Sequence, residues 1–163
     1  MSKLTIGFSR PSSKFAIFGR AIMLYEGVNY SHCYIKYTTG SGSVLICQAS
    51  KGMLNFMSVP AFLLHNVVVE EFEIDVTPDQ LAFIKKKSMD KAGLPYSVKQ
   101  IVGIVVAGIF KLKTNPFDSD PDTFVCSEWV GETLQSLGVK IDKDLGLITP
   151  KDIREIVLNT IRK

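Results

Sequence analysis

The chain has few of the residues that hold metal ions or form disulfides. Its 163 residues include only three cysteines and two histidines, and no two cysteines stand in a Cys-x-x-Cys spacing. An odd number of cysteines without that spacing argues against both a disulfide framework and a zinc site. The sequence therefore predicts no metal and no cofactor, and it favours a reducing compartment.

Excess charge and long apolar runs are also missing. The net charge is only +3, with 46% hydrophobic and 21% charged residues, which is typical of a globular protein and argues against a nucleic-acid partner. The amino terminus lacks the apolar region of a signal peptide. The longest apolar stretch, Ile101–Phe110, is shorter than the roughly 20 residues of a membrane-spanning helix. We expect a cytoplasmic protein with Ile101–Phe110 as a buried helix, and we keep a membrane-surface role as a minor alternative.

No repeat and no linker divides the chain, so residues 1–163 are expected to form a single domain. Apolar periodicity and turn signals predict a short strand and a helix, then several strands, then mostly helices. This order predicts an α+β protein with a small antiparallel sheet packed against helices. The predicted strands are Leu4–Phe8, Tyr30–Thr38, Ser43–Ala49 and Val67–Ile74; the predicted helices are Lys14–Glu26, Val59–Leu64, 77–93, Ser97–Lys111, one from about Phe124 and one from Thr149.

Cys126 has the sequence context of an activated thiol. It lies near the start of a predicted amphipathic helix, where unpaired backbone N–H groups stabilise a thiolate. On that helix it shares the inward face with Trp129 and Val130, while Ser127 and Glu128 point elsewhere. The alternative is an inert buried cysteine, which is the better interpretation for the other two, Cys33 and Cys47, in the middle of strands.

His32 is the best candidate for a base. It alternates with Tyr34 and Lys36 on the polar face of a predicted strand, which suggests a face that opens on a cleft. A catalytic imidazole also needs a group that fixes its ring and tautomer. Gln48, at the end of an otherwise apolar row on the next strand, is one candidate, and a glutamine that meets solvent at a strand end is the equal alternative. His65 is expected to be an ordinary loop residue.

Five short motifs, in this order, carry a family resemblance: Tyr30-Ser31-His32, Gln48-Ala49 with Gly52, Pro95-Tyr96, Cys126-Ser127-Glu128 and Thr149-Pro150. With these motifs the chain resembles the permuted NlpC-type, papain-like cysteine hydrolases, which include the YiiX-like proteins and relatives of lecithin retinol acyltransferase. In that group the histidine strand precedes the cysteine helix, the reverse of the order in papain. The chain departs from the group at Gln48, where YiiX-like members tend to carry glutamate.

The resemblance implies a circularly permuted papain-like fold and a thiol hydrolase that acts on a peptide or another acyl-bearing substrate. Cys126 would be the nucleophile, His32 the base and Gln48 the group that orients His32. The backbone N–H of Cys126 would stabilise the oxyanion. Tyr96 would assist it, since the related unpermuted enzymes use a tyrosine near the nucleophile; packing beneath the following helix is the alternative for Tyr96.

Three functions remain open from the sequence. The leading hypothesis is a cysteine amidase or peptidase, the second is a cysteine acyltransferase for lipid acyl groups, and the third is a catalytically weak binding module with the same fold. The acyltransferase branch usually carries a second histidine where this chain has Gln48. We expect the segments Asn115–Asp122 and Gly52–Ser58 to line the cleft and to set its specificity.

Overall fold

The computed structural model describes residues 1–13, 16–50, 52–95, 97–117 and 125–162, with the side chains of Phe18 and Val98 left out. Within these residues the chain forms five strands, six α-helices and one 3-10 turn. The strands are β1 (Ser2–Pro11), β2 (His32–Thr38), β3 (Val44–Ser50), β4 (Met53–Ser58) and β5 (Asn66–Val76). The helices are α1 (Ile17–Glu26), α2 (Val59–Leu63), α3 (Pro78–Asp90), α4 (Val98–Phe110), α5 (Cys126–Ser136) and α6 (Pro150–Ile161), with the 3-10 turn at Leu145–Leu147.

The strands form one antiparallel sheet in the order β4-β3-β2-β1-β5, so β2 is the central strand. Alternate residues of each strand point to the same face. On one face, apolar side chains of β1 and β2 pack in one core with α3, α5 and α6. The prediction of an α+β protein with helices packed on a small antiparallel sheet is therefore confirmed.

The opposite face of the sheet carries a second, smaller cluster. Tyr34, Ile46 and Phe62 are buried together there, with Phe62 contributed by the short helix α2. The Tyr34 ring crosses β1 and donates a hydrogen bond to Glu71 of β5, with 2.7 Å between its hydroxyl oxygen and Glu71 Oε1. It crosses at Gly7, which pairs with Tyr34 in the register of β1 and β2. The absence of a side chain at Gly7 is what leaves room for the ring.

Most of the segment Gly52–Ser58, where the sequence analysis predicted no strand, forms β4. This strand pairs with β3 along its length, and Gln48 lies opposite Asn55. Its outer edge is partly paired as well, since Leu54 N donates to Leu94 O at 2.9 Å and Gly93 N donates to Leu54 O at 2.8 Å. The alternation that marks a strand is present here, with Leu54 buried in the core.

Helix starts follow the capping signals in the sequence. At α3, the Thr77 hydroxyl accepts from Gln80 N at 3.1 Å, and Gln80 Oε1 accepts from Thr77 N at 2.9 Å. This reciprocal pair is the predicted capping box. The start of α6 is capped by Thr149 and Asp152 in the same way. The first helix begins at Ile17, and the earlier part of its predicted span, residues 14 and 15, lies outside the described residues.

The prediction of a buried helix at Ile101–Phe110 is wrong for its outer face. Ala107 is buried, yet Val102, Ile109 and Phe110 of α4 are exposed, with 70% of Phe110 accessible. The helix is apolar nearly all round, whereas only one side of it meets the other residues that the structure describes. Among the described residues, no helix combines the length and the apolar character needed to cross a bilayer.

The outermost strand β5 is acidic on the face away from the main core. Glu71, Glu73 and Asp75 alternate along it, and each lies opposite a residue of β1. Lys3 forms an ion pair with Asp75 at 2.9 Å, and Lys36 forms one with Glu71. These pairs are solvent-exposed or half-exposed, so we expect them to contribute little to stability.

We predict that Gly7→Ala destabilises the fold. A Cβ at Gly7 would lie 2.1 Å from the ring of Tyr34, so the ring must move and loses its contacts. Overpacking of this kind costs about 1–3 kcal/mol of the free energy of unfolding, to be measured by urea denaturation. The control is Gly40→Ala, where nothing lies within 4 Å of the new Cβ; equal stability of the two variants would contradict the prediction.

Candidate active site

Cys126 is the first residue of α5. Val125 is the N-cap, and its backbone N–H donates to Glu128 Oε2 at 3.4 Å, so the Glu128 side chain caps the start of the helix. The first turn of a helix carries unsatisfied N–H groups and the positive end of the helix dipole. The sulfur therefore lies where a negative charge is favoured.

The start of α5 is fixed against the rest of the core. Cys126 is only 5% exposed, and Trp129 and Val130 on the same face are completely buried. The expectation that Ser127 points away is wrong: its hydroxyl is buried and donates to the backbone oxygen of Ile148 at 2.6 Å. This bond ties the first turn of α5 to the residue that follows the 3-10 turn.

His32 and Gln48 are hydrogen-bonded across neighbouring strands. His32 opens β2 and is half-buried, while Gln48 in β3 is buried. The distance from His32 Nε2 to Gln48 Oε1 is 2.7 Å. Since an amide oxygen only accepts, Nε2 carries the proton and Nδ1 is the ring nitrogen left for another partner.

The amide of Gln48 is itself held in this orientation. Its Nε2 lies 3.5 Å from Asn55 Oδ1 and 3.8 Å from the sulfur of Met57, both on β4. Asn55 in turn donates to the backbone oxygen of Ser50 at 2.9 Å. The unpredicted strand β4 therefore supplies the groups that direct the Gln48 oxygen toward His32.

The Cys126 thiol and the His32 imidazole perturb each other. Hydrogen bonds from Cys33 and the charge of His32 outweigh burial and hold the pKa of Cys126 well below its ordinary value. Burial lowers the pKa of His32, but the Cys126 thiolate and the bond to Gln48 outweigh it, so the net pKa is raised. Both shifts favour a thiolate–imidazolium pair.

Cys33 belongs to the site as well, which the sequence did not indicate. Its thiol and its backbone N–H both donate toward the Cys126 sulfur, and burial together with that thiolate raises the pKa of Cys33 well above its usual range. Burial also raises the pKa of Cys47, to about 12. Cys33 and Cys47 therefore stay protonated thiols, and Cys126 is the one cysteine of the three with thiolate character.

A narrow pocket of about 30 Å³ adjoins Cys126. This space would hold one or two water molecules or a small substrate group. Apolar side chains of α1 and α4 form much of its wall, and the surface that the pocket exposes is almost entirely apolar. The polar lining residues are Glu26, Ser31, Ser127 and Thr149.

Two of the remaining sequence candidates fall where the structure is not described. They are Tyr96 and the last residues of the Asn115–Asp122 segment. His65 is exposed between α2 and β5. In the described part of the chain, no group of three or more His, Cys, Asp and Glu side chains is arranged to hold a metal ion.

No protein-family model matches the chain, and no curated protein is significantly similar to it.

We predict that iodoacetamide alkylates Cys126 selectively at neutral pH. Because the pKa of Cys126 is lowered, its thiolate forms well below the pH of about 8.5 at which a free cysteine titrates. Because the raised pKa of His32 keeps the imidazolium present below that pH, the alkylation rate of Cys126 reaches its plateau at a lower pH than that of a free cysteine. The measurement is the rate for each cysteine against pH, by mass spectrometry of peptides.

His32→Ala is expected to raise the pH at which alkylation of Cys126 is half-maximal. At pH 7 alkylation should slow by roughly tenfold, since the thiolate fraction falls tenfold for each pH unit below that midpoint. His65→Ala, which removes an exposed imidazole far from the sulfur in sequence, is the matched control and should leave the profile unchanged. Alkylation of Cys126 no faster than that of Cys33 or Cys47 would contradict the assignment.

Proposed function

We propose that the chain is a thiol hydrolase that cleaves amide bonds, such as peptide bonds, or related acyl bonds. The observation that carries the proposal is the imidazole of His32, hydrogen-bonded to Gln48 on one side and interacting with the helix-start thiol of Cys126 on the other. Acyl transfer through a thiol requires a nucleophile, a base beside it and a group that orients the base. Cys126, His32 and Gln48 would fill these roles in that order.

In the proposed reaction the Cys126 thiolate attacks the substrate carbonyl carbon and forms a C–S bond. The carbonyl π electrons move to the oxygen, and backbone N–H groups at the start of α5, that of Cys126 first, stabilise the oxyanion. His32 then gives the proton on Nδ1 to the leaving amine or alkoxide as the C–N or C–O bond breaks. A water molecule, deprotonated by His32, hydrolyses the resulting thioester and restores the thiol pair.

We also propose that the fold is the circularly permuted, papain-like fold of the NlpC-type hydrolases. The histidine strand β2 precedes the cysteine helix α5 in the chain, and α5 packs on the sheet with its amino-terminal end beside the start of β2. The antiparallel sheet and the helix layer are compatible with that fold. The support is the order and placement of these elements together with the five sequence motifs.

Gln48 distinguishes this chain from YiiX-like relatives that tend to carry glutamate. A glutamine orients His32 through one hydrogen bond but adds no negative charge, so it stabilises the imidazolium less than a carboxylate would. The charge that stabilises the imidazolium in this chain is the Cys126 thiolate. We therefore propose that the reactivity of Cys126 depends on its ion pair with His32 more than on Gln48.

One observation favours a lipid acyltransferase as the second candidate. The pocket beside Cys126 is walled by Ile101, Ile104 and Val105 of α4, and the outer face of the same helix is exposed and apolar. Such a wall suits an acyl chain. A binding module without turnover is the third outcome, and the same experiment separates all three.

We predict a covalent acyl adduct on Cys126. The protein is incubated separately with a p-nitrophenyl ester, a peptide amide of aminomethylcoumarin and a short-chain phosphatidylcholine, and the intact mass is followed with time. An adduct from the amide or ester that decays in water supports the hydrolase; an adduct from the phospholipid that transfers to an added amine supports the acyltransferase. Cys126→Ala should abolish the adduct, and Cys47→Ala, which removes another buried thiol, should keep it; no adduct from any donor would leave only the binding module.

We predict that Gln48 acts through His32. Gln48→Leu removes the hydrogen-bond acceptor at nearly constant volume and should lower kcat for the reactive donor by roughly 10- to 100-fold, part of what a positioned base contributes, with KM little changed. Gln48→Glu should retain kcat and raise the pH at which His32 titrates, because a carboxylate favours the imidazolium. An unchanged pH–rate profile in Gln48→Glu would show that residue 48 has no influence on the imidazole.

A further inference from the structure

The outer sides of α1 and α4 expose large apolar side chains. On α4 these are Val102, Ile109 and Phe110, with 63% of Ile109 accessible. On α1 they are Ile17 and Leu24, with 87% of Leu24 accessible. Single exposed apolar residues are common on protein surfaces, whereas a cluster of large ones marks an interaction surface.

The two helices lie beside each other, so these side chains belong to one surface. The Tyr25 hydroxyl of α1 lies against Gly108 of α4, at a place where a Cβ would collide with it. Ile22 and Tyr25 also share the wall of the pocket beside Cys126 with residues of α4. We call the exposed residues of α1, of α4 and of 111–113 the α1–α4 face.

The length of α4 narrows what this face can contact. The helix has 13 residues and is therefore about 20 Å long. Apolar segments of about this length are usually helices of a buried core or segments that lie in the surface layer of a membrane. A buried core helix is excluded here, because Val102, Ile109 and Phe110 are exposed. Since α4 is also shorter than the roughly 30 Å core of a bilayer, it fits along a membrane surface.

The accessible charges of the α1–α4 face are positive. Arg20 lies on α1, Lys99 lies in the first turn of α4, and Lys111 and Lys113 follow the end of α4; all four side chains are exposed. In the described part of the chain none of them forms an ion pair. These cations are therefore available to an anionic partner.

Acidic residues are scarce in the same segments. Glu26 is the one acidic residue of α1 and is buried, and residues 97–117 contain neither aspartate nor glutamate. The aspartates of 118–122 follow in the sequence, outside the described residues. An apolar face with positive charges around it is complementary to a bilayer of acidic phospholipids, whose negative headgroups cover an apolar interior.

A second copy of the chain fits this face less well. A two-fold contact brings the same patch of both copies together. Through α4, such a contact would place Lys99, Lys111 and Lys113 of one copy against the same ammonium groups of the other. Like charges across an interface oppose association, so the charge pattern favours the lipid surface over a dimer.

We propose that the α1–α4 face docks on the surface of a bilayer that contains acidic phospholipids. The apolar side chains of α4, Phe110 foremost, enter the boundary between headgroups and acyl chains, while Arg20, Lys99 and Lys113 pair with headgroup phosphates. The sequence allowed such a membrane-surface role as a minor alternative. The inference is independent of the proposed thiol hydrolase, because it uses neither Cys126 nor His32.

The test is co-sedimentation of the full chain with two kinds of lipid vesicle. One kind is phosphatidylcholine mixed with phosphatidylglycerol, and the other is phosphatidylcholine alone. The partition coefficient is measured for each at low salt. We expect binding to the mixed vesicles that is roughly tenfold stronger than binding to phosphatidylcholine, since each basic residue near an anionic surface adds to the attraction, and we expect added salt to reduce this difference.

Two variants with matched controls test which face binds. Phe110→Ser should weaken binding to the mixed vesicles by roughly tenfold, the effect of losing one large apolar contact. Its control is Phe83→Ser, which removes a phenylalanine that is 56% exposed on α3 and should leave binding unchanged. All substituted side chains here are exposed, so we expect the variants to fold.

The double variant Lys99→Gln/Lys113→Gln should also weaken binding to the mixed vesicles by roughly tenfold and leave binding to phosphatidylcholine unchanged. Its control is Lys86→Gln/Lys140→Gln, which removes two exposed lysines from other parts of the surface. The control lowers the net charge equally and should change binding little.

Each outcome either supports the docking face or overturns it. No binding to either kind of vesicle, or equal binding to both, overturns the proposal. So does an equal loss of binding in a variant and its control. A dimer in size-exclusion chromatography that Phe110→Ser dissociates, without vesicle binding, assigns the face to a second copy and likewise overturns the proposal. Cys126→Ala should bind vesicles as the wild type does, so failure of the thiol chemistry leaves this inference standing.

Discussion

The contact between the first turn of α5 and the first residues of β2 is the constraint on which the candidate site depends. Cys126 interacts with both His32 and Cys33, two neighbours whose side chains point to opposite faces of the strand. The sulfur must therefore lie at the end of β2, where the two faces meet. Because β2 is the central strand, and because Ser127 is bonded to Ile148, neither partner can shift without disturbing the core.

The site combines the two sides of the sheet in different roles. The helix side supplies the thiol, the dipole of α5 and the dry surroundings that strengthen electrostatic interactions. The other side supplies a polar row in which Gln48 directs His32 and Asn55 directs Gln48. Without Gln48 and Asn55, burial would lower the pKa of the His32 imidazole and leave it uncharged. The Cys126 thiolate and the Gln48 amide together reverse this effect, which explains why the pKa of His32 is raised although much of the ring is removed from water.

Local features of the site could be predicted from the sequence, and long-range ones could not. The inward face of Cys126 followed from helical spacing, and the faces of His32 and Gln48 followed from strand alternation. Whether Gln48 meets His32 depends on the register between β2 and β3, which no local pattern specifies. The part that Cys33 plays depends on the contact between β2 and α5, which lie far apart in the chain. The strand β4 was not predicted, although Leu54 and Phe56 show the alternation that a strand requires.

The acidic row on β5 bears on how copies of this chain behave toward one another. An outermost strand offers backbone donors and acceptors to any other extended segment, and this is how soluble proteins begin to form fibrous aggregates. Two copies of β5 that met edge to edge in antiparallel fashion would bring Glu71, Glu73 and Asp75 of one against the same side chains of the other. Like charges in such cross-strand positions repel. The strand thus carries its own protection against polymerisation.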